Sequence, residues 1–323
     1  MVLDHGGNLD LACKLFGGRA EDWIDLSTGI NRQPYPVGEL QTRSWTALPS
    51  RAEIESLQEA ARSAYGTSAP VLALAGAQAA IQSLPRLAPP SRARILAPTY
   101  NEYAPTLKIA GWQVEEVSDL DALAGADLAV VVNPNNPDGR QHDRAALLVL
   151  ATRVGRLVVD ESFADALPDM SMASDAGRTG LLVLRSFGKF YGLAGLRLGF
   201  VLGNEADVAA LAAMAGPWPV SGAAIEIGRR ALLDRVWAEA TRARLEREAE
   251  RLDDLARGAG WSLVGGTPLF RLYETGNAVA AQERLARAKI WSRIFGNRPG
   301  WLRLGLPGDG SEWTRLAAAL SAR

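Results

Sequence analysis

The sequence is poor in metal-binding and disulfide-forming side chains. Among 323 residues it has one cysteine, Cys13, and two histidines, His5 and His142. One cysteine cannot form an internal disulfide, and so few sulfur and imidazole ligands do not make up a zinc-type site. We therefore predict no metal, and the absence of disulfides is compatible with the reducing cytoplasm where we expect the protein.

The sequence also lacks an excess of charge of either sign and a long apolar run. There are 35 Lys and Arg against 36 Asp and Glu, and the formal net charge is -1. This balance excludes the basic surface typical of proteins that bind nucleic acid or anionic membranes. Residues 1–10 do not resemble a signal peptide, and no run reaches about eighteen apolar residues. We expect a soluble, unexported protein whose partner is a small molecule.

Short apolar runs alternate with helical stretches through the middle of the chain. The runs are residues 71–74, 94–97, 127–132, 156–159, 181–184 and 198–202. Strands that are apolar on both faces and separated by crossover-length segments are typical of a parallel sheet covered by helices. We predict an α/β fold, with a large domain built on a mostly parallel central sheet and a smaller α+β domain.

The segments before and after this region show a different pattern of apolar residues. The spacing of apolar residues predicts a helix over residues 52–65 that stops at Gly66, and a long charged helix over about 223–256. Shorter apolar segments follow at 262–264, 269–273 and 301–306. We assign residues 35–220 to the large domain, and residues 1–34 together with 221–323 to the small one.

Ser186, Lys189 and Arg197 follow the apolar run 181–184. A lysine amine at the end of a strand can form an imine with an aldehyde, and a hydroxyl and a guanidinium are good partners for a phosphate. Taken alone, however, a lysine is most often a surface residue.

Three further segments place polar residues after apolar strands. The run 130–132 leads into a turn that contains Asn136, Asp160 closes the run 157–159, and Gly76, Ala77 and Gln78 open a helical stretch after 71–75. Ligands bind at such strand ends in open α/β sheets, and helix starts receive phosphates. Taken singly, these segments are equally typical of a plain turn, a helix N-cap and an ordinary loop.

The order and spacing of these motifs resemble the aspartate-aminotransferase superfamily, fold type I of the enzymes that depend on pyridoxal phosphate (PLP), over nearly the whole chain. The resemblance implies that PLP is the cofactor and that Lys189 forms the imine with it. It further implies that Asp160 pairs with the ring nitrogen and that Lys189 and Asp160 are catalytic. The remaining cofactor contacts that it implies are Gly76, Ala77, Gln78, Ser186 and Arg197 at the phosphate, Tyr100 stacked on the ring, and Asn136 at the ring hydroxyl.

Two branches of this superfamily are most similar to the sequence: the histidinol-phosphate aminotransferases and the threonine-phosphate decarboxylases. The segments at residues 5–8 and 25–31 resemble those of the decarboxylases, and Phe163 stands where most aminotransferases have a tyrosine. The resemblance implies that the substrate contacts are His5, Gly6, Asn8, Gly29, Asn31, Arg293 and Arg303. Two arginines fit a substrate with two anionic ends, because each anion needs a paired cation in a desolvated site.

The expected reaction is therefore the PLP-dependent decarboxylation of L-threonine O-3-phosphate to (R)-1-amino-2-propanol O-phosphate, in cobalamin biosynthesis. A histidinol-phosphate or other class I/II aminotransferase is the first alternative, and a non-catalytic PLP-binding regulator is the second. The resemblance also implies a homodimer. Leu48 stands where aminotransferases of this family send a tyrosine to the partner subunit's cofactor, so the partner's contribution stays open.

Overall fold

The computed structural model describes residues 5–321. The chain forms two compact units. The central unit comprises Tyr35–Asn136 and Gln141–Ala238. The terminal unit comprises the chain up to Pro34, the short segment Pro137–Arg140, and the chain from Glu239 onward. The domain ranges predicted from the sequence, 35–220 for the large domain and 1–34 together with 221–323 for the small one, stay a prediction.

The α-helices of residues 5–321 are α1 (Leu9–Phe16), α2 (Arg43–Thr46), α3 (Arg51–Tyr65), α4 (Ala77–Ser83), α5 (Tyr103–Ile109), α6 (Arg144–Ala151), α7 (Phe187–Phe190), α8 (Glu205–Ala215), α9 (Gly222–Leu233), α10 (Arg235–Gly258), α11 (Ala278–Arg287) and α12 (Gly310–Ser321). Among them, none combines the length and the apolarity that crossing a lipid bilayer requires.

The strands of the same residues are β1 (Ile24–Asp25), β2 (Val71–Leu74), β3 (Arg92–Leu96), β4 (Gln113–Val117), β5 (Leu128–Val132), β6 (Leu157–Asp160), β7 (Leu181–Ser186), β8 (Gly199–Gly203), β9 (Ser262–Thr267), β10 (Phe270–Glu274), β11 (Ile290–Trp291), β12 (Arg293–Phe295) and β13 (Arg298–Gly305).

The central unit is built on a seven-stranded sheet with the order β2-β8-β7-β6-β5-β3-β4. Neighbouring strands from β7 to β4 are parallel, and β8 runs antiparallel to both β2 and β7. Every residue of β2, β5, β6 and β8 is buried, as expected for strands covered by helices on both faces. The predicted α/β fold with a mostly parallel central sheet is confirmed.

The edge strand β4 is absent from the sequence-based prediction. Its residues, Gln113–Val117, are exposed or half-buried, and two of them are glutamates. Such a strand has no apolar run to reveal it. A strand at the border of a sheet is partly open to solvent and can therefore carry charged side chains.

The terminal unit has a four-stranded antiparallel sheet with the order β12-β13-β10-β9. A short parallel pair, β1 and β11, lies beside α1 and α11 around a small core of Ala12, Trp23, Ala286 and Trp291. This confirms the prediction of a smaller α+β part.

The single long helix predicted over residues 223–256 is wrong. Asp234 separates α9 from α10, and its backbone leaves the helical region at φ -85° and ψ 79°. The Asp234 carboxylate accepts a hydrogen bond from the Trp237 backbone N–H at 2.9 Å, which caps the start of α10. Apolar spacing does not report this break, because an aspartate is also common on the solvated face of a continuous helix.

Candidate active site

One cavity of the central unit gathers every residue that the sequence assigned to the cofactor. Its lining includes Gly76, Ala77, Gln78, Tyr100, Asn136, Asp160, Ser186, Lys189 and Arg197. Most of them follow the carboxyl ends of strands, where open α/β sheets bind ligands.

One end of the cavity suits an anion. The guanidinium of Arg197 lies so close to Gly76 that a β-carbon on that glycine would be 3.0 Å from its Nη2. A β-carbon on Gly199 of β8 would be only 2.4 Å from the backbone nitrogen of Ala77, the first residue of α4. The first N–H groups of a helix have no acceptor within the helix, and a guanidinium fork matches a phosphate.

Arg197 holds this place with an uncommon backbone conformation. Its φ of 55° and ψ of 54° lie in the left-handed region of backbone conformation, which residues other than glycine rarely adopt. Its Nη1 donates to the carbonyl of Ala194 at 3.1 Å, and Gly188 packs so tightly against Ala194 that a β-carbon there would lie 2.7 Å from the Ala194 Cα. Strain of this kind is concentrated at functional sites.

A buried carboxylate lines the cavity at the end of β6. Asp160 is 2% exposed. Its Oδ2 accepts from the Tyr103 hydroxyl at 2.7 Å, and its Oδ1 accepts from the Ser162 backbone N–H at 2.9 Å and from the Ser162 hydroxyl. Burial and the neighbouring Asp160 charge raise the pKa of Tyr103 well above its ordinary value, so the phenol remains a donor. These contacts fix the orientation of the carboxylate.

Lys189 is carried by the short helix α7, directly after β7. Its Nζ lies 5.6 Å from the centre of the Phe163 ring, and that ring is 3% exposed. The phenylalanine that the sequence analysis singled out therefore lies against the lysine amine, and it brings no hydroxyl group to the site.

Tyr100 and Gln78 form a polar pair in the lining. The Tyr100 hydroxyl donates to the Gln78 Oε1 at 3.3 Å, while the Gln78 Nε2 donates to Glu102 at 3.0 Å. Burial, with smaller contributions from Glu102 and Asp160, raises the pKa of Tyr100 to about 12. The ring of Tyr100 is held edge-on by Tyr103, with centroids 6.4 Å apart.

A buried ionic network flanks the residues that reach the cavity. Arg185, just before Ser186, donates to Glu161 and to Asp165, both at 2.7 Å. Glu161 also accepts from the Ser171 hydroxyl at 2.6 Å, and the Arg185 guanidinium lies 4.3 Å from the centre of the Tyr65 ring. The two carboxylates hold the pKa of Arg185 above its ordinary value despite the cost of burial. The network ties the end of β6 to the end of β7.

The residues that the sequence assigned to the substrate all lie in the terminal unit. Arg293 of β12 and Arg303 of β13 are direct cross-strand partners. Arg303 is 5% exposed, and its Nη2 donates to the carbonyl of Ser27 at 2.6 Å. Burial and then the nearby Arg293 charge lower the pKa of Arg303 to about 9, an effect that Asp25 partly offsets. Two cations opposed across strands repel each other unless an anion joins them.

The N-terminal segment packs on residues 25–31 within the terminal unit. A β-carbon on Gly6 would lie 2.4 Å from the Ser27 carbonyl oxygen, and the Gly7 N–H donates to the Ser27 hydroxyl at 2.7 Å. His5 and Asn8 are exposed, and the Asn8 side chain accepts from Leu11 N–H at 3.0 Å as the N-cap of α1.

Gly29 and Asn31 lie on the segment that packs on β13. Gly29 is buried with a φ of 65°, and a β-carbon on Gly305 would lie 3.4 Å from its backbone nitrogen. Asn31 is 2% exposed, and its Oδ1 accepts from Arg244 at 2.9 Å and from the Gln33 N–H at 3.0 Å.

Sequence reasoning missed Tyr103, Gly199, Arg185 and Arg244. Tyr103 and Arg244 act through contacts with residues 57 and 213 positions away, which no local pattern reveals. Gly199 carried a weak signal, since a glycine inside an apolar strand often marks a close approach of another backbone.

Comparison with known proteins adds to this geometry. A model of the family described as aminotransferase class I and II matches residues 21–320. A threonine-phosphate decarboxylase from Sinorhizobium sp. is 46% identical over 98% of this chain and 97% of its own length. Another, from Pseudomonas aeruginosa, is 43% identical over 99% and 97%. A histidinol-phosphate aminotransferase from Sinorhizobium meliloti, solved in complex with pyridoxal-5'-phosphate, has the same fold, with a TM-score of 0.86 and 20% identity over 99% of this chain and 94% of its own. The chain belongs to the aminotransferase class I and II family.

Proposed function

We propose that this enzyme uses PLP to decarboxylate L-threonine O-3-phosphate, yielding (R)-1-amino-2-propanol O-phosphate for cobalamin biosynthesis. The observation that carries the proposal is the cross-strand pair Arg293 and Arg303, which supplies two cations for a substrate with a carboxylate and a phosphate. The near full-length likeness to two threonine-phosphate decarboxylases supports the same reaction.

The cavity of the central unit fits PLP. Gly76 and Gly199 lack the β-carbons that would fill the space beside Arg197 and the Ala77 N–H, which leaves a cradle for a phosphate. Asp160 offers a buried carboxylate for a protonated ring nitrogen, and Lys189 offers the amine that would hold the cofactor's aldehyde. The lining therefore offers partners for the phosphate, the ring nitrogen and the aldehyde of PLP.

When bound, PLP supplies an electron sink for the pair of electrons left at the alpha carbon of an amino acid. Tyr103 and Ser162 keep the Asp160 carboxylate oriented, so that it can hold a proton on the ring nitrogen. Arg293 and Arg303 bind the two anionic groups of the substrate and so determine which bond at the alpha carbon is aligned for cleavage. The Lys189 amine would hold the cofactor between turnovers and would return a proton to the alpha carbon of the product.

Phe163 favours decarboxylation over amino transfer. A tyrosine here would donate a hydrogen bond to the cofactor's ring oxygen. It would thereby change the basicity of the Lys189 nitrogen through which the cofactor would be held. The buried phenylalanine next to the Lys189 amine leaves Asn136 as the donor proposed for that oxygen.

The test is incubation of the PLP-loaded protein with O-phospho-L-threonine and no keto acid. We expect release of carbon dioxide and formation of the phosphorylated amine. No release without a keto acid, and amino transfer with one, would identify an aminotransferase instead. The Lys189→Ala variant should lose both turnover and the visible absorbance of the bound cofactor; turnover that survives it would contradict the role of this lysine.

The proposal includes a homodimer. In the central unit, Trp45 and Leu48 are 68% and 64% exposed within four residues of each other. Two exposed apolar side chains so close in sequence support the proposal, because contiguous apolar surface is typical of an interaction site. Sedimentation equilibrium should give twice the monomer mass, and Trp45→Glu should shift it to the monomer. Ile109→Glu, at an 88% exposed isoleucine of α5, is the matched control and should not. A monomeric wild-type protein would contradict the proposal.

A further inference from the structure

A crevice opens between the carboxyl ends of β3 and β5 in the central unit. The ladder that joins the two strands ends at the pair Ile95 and Val130. Beyond it, the Ala97 N–H donates to β4 and the Asn133 N–H donates to β6, each at 2.8 Å. The two chains are thus drawn to opposite neighbours in the sheet. A point where the connections leave in opposite directions is where open α/β sheets bind ligands.

The side chain of Asn135 spans this crevice. Asn135 is 2% exposed. Its Oδ1 accepts from the Thr99 hydroxyl at 2.7 Å, and its Nδ2 donates to the Pro98 carbonyl at 2.9 Å. A carbonyl can only accept, so the atom that faces Pro98 must be the NH₂ group, and chemistry alone assigns the orientation of the amide. These two hydrogen bonds, the Asn135 bridge, join the loop after β5 to the loop after β3.

Each end of the Asn135 bridge lies next to a residue of the cavity. Thr99 directly precedes Tyr100, Asn135 directly precedes Asn136, and both Tyr100 and Asn136 belong to the lining. The bridge therefore connects the backbone that carries the proposed ring-stacking side chain with the backbone that carries the proposed donor to the ring oxygen.

Neighbouring contacts do not do the same. The Tyr100 hydroxyl donates to Gln78 of α4 at 3.3 Å, which holds only the tip of that side chain. Asn133 exchanges two hydrogen bonds with the backbone of His142 in its own loop, at 2.9 and 3.3 Å. Neither contact joins the loop after β3 to the loop after β5.

We propose that Asn135 is a positioning residue: together with Thr99, it fixes Tyr100 and Asn136 relative to each other for a cofactor ring. This rests on the proposed binding of PLP in the cavity. When the bridge is lost, PLP must order the two loops as it binds, and this ordering lowers its affinity. A donor that is less well held also stabilises the ring oxygen less.

The first experiment titrates the cofactor-free protein with PLP and measures the affinity from the visible absorbance. We expect Asn135→Ala to weaken binding about tenfold, since it removes both hydrogen bonds of the bridge. Thr99→Val removes only the hydroxyl and should weaken it about threefold, whereas Thr99→Ser keeps the hydroxyl and should bind like the parent. In the Asn135→Ala protein, the added Thr99→Val change should alter the affinity less than about twofold, because Thr99 acts through the amide.

The pH dependence of the visible band separates positioning from a merely structural role. The band follows the proton that the cofactor's ring oxygen shares with the Lys189 nitrogen, and a well-placed donor weakens the oxygen's hold on that proton. Asn135→Ala should therefore move the midpoint of the titration to higher pH. Asn204→Ala is the matched control, since Asn204 also makes two hydrogen bonds, both to Asp207 of α8, at 3.0 and 2.8 Å. It should change neither the affinity nor the midpoint.

Hydrogen exchange of the cofactor-free proteins tests the Asn135 bridge without PLP. Asn135→Ala should speed exchange in residues 97–103 and 133–142 together, and Asn204→Ala should not. Unchanged exchange in either segment, or faster exchange with parent-like PLP affinity and midpoint, would overturn the proposal. So would independent, multiplying effects of Thr99→Val and Asn135→Ala in the cycle. If the parent protein itself does not bind PLP, it is the proposed cofactor that is wrong.

Discussion

Replacing Arg303 by methionine should stabilise the free protein while it removes substrate binding. Methionine fills a similar volume without a charge, so the change removes the guanidinium and leaves packing largely intact. Replacing buried charges by apolar groups of similar volume often stabilises a protein by about 1–4 kcal/mol. A residue kept for binding shows this opposition between stability and function, whereas a residue kept for structure does not.

The magnitude follows from the surroundings of the guanidinium. Burial and the Arg293 charge lower the pKa of Arg303 well below its ordinary value, to about 9, which disfavours the charged form by about 5 kcal/mol relative to the neutral one. Methionine removes this cost but leaves the Ser27 carbonyl without its donor, a loss of about 1–3 kcal/mol. We therefore expect a net gain of about 2–4 kcal/mol in the free energy of unfolding.

Urea unfolding of the ligand-free protein at pH 7 measures the gain, and kcat/KM measures the loss, which should be at least about a hundredfold. The matched control is Arg271→Met in β10. Arg271 is 16% exposed but forms a two-pronged ion pair with Asp253, at 3.0 and 2.6 Å. Removing it strands a carboxylate, so the control should lower stability by about 1–3 kcal/mol and leave kcat/KM nearly unchanged.

The gain should also depend on pH in a defined direction. Because the pKa of Arg303 is lower in the folded protein than in the unfolded chain, the native arginine loses its proton first as the pH rises through about 9. The wild-type protein then recovers stability, and the advantage of Arg303→Met narrows. A variant that is destabilised by more than about 1 kcal/mol at pH 7 and keeps its kcat/KM would refute the reasoning.

Three other predictions concern the central unit. Asp160→Asn should lower kcat at least about a hundredfold, because a neutral amide cannot hold a proton on the ring nitrogen; Tyr103→Phe, which only loosens the carboxylate, should lower it about tenfold in the same assay. Phe163→Tyr should slow carbon dioxide release and produce inactivation by stray amino transfer, visible as activity that an added keto acid restores. Arg185→Leu should cost about 3–5 kcal/mol in urea unfolding, since it strands two buried carboxylates, whereas Arg62→Leu, at a helix surface, should cost less than about 1 kcal/mol.

The α/β sheet and the cofactor cavity were largely determined by local sequence. The apolar runs of β2, β5, β6 and β8 are buried on both faces, as strands of a helix-covered sheet require, and Gly76, Asn136, Asp160 and Ser186 come at or just after strand ends. Strand ends on one edge of a sheet converge, so residues placed there meet without any further information.

Tertiary structure alone decided what holds those residues in place. Tyr103 reaches Asp160 across 57 residues of sequence, and Arg244 reaches Asn31 across 213, because packing of distant segments brings them together. Such contacts leave no periodic trace, since a tyrosine or a helical arginine is equally common where it touches nothing. The sequence thus determined which groups meet in the cavity, and long-range packing determined how they are turned, because orientation depends on neighbours that the local chain does not contain.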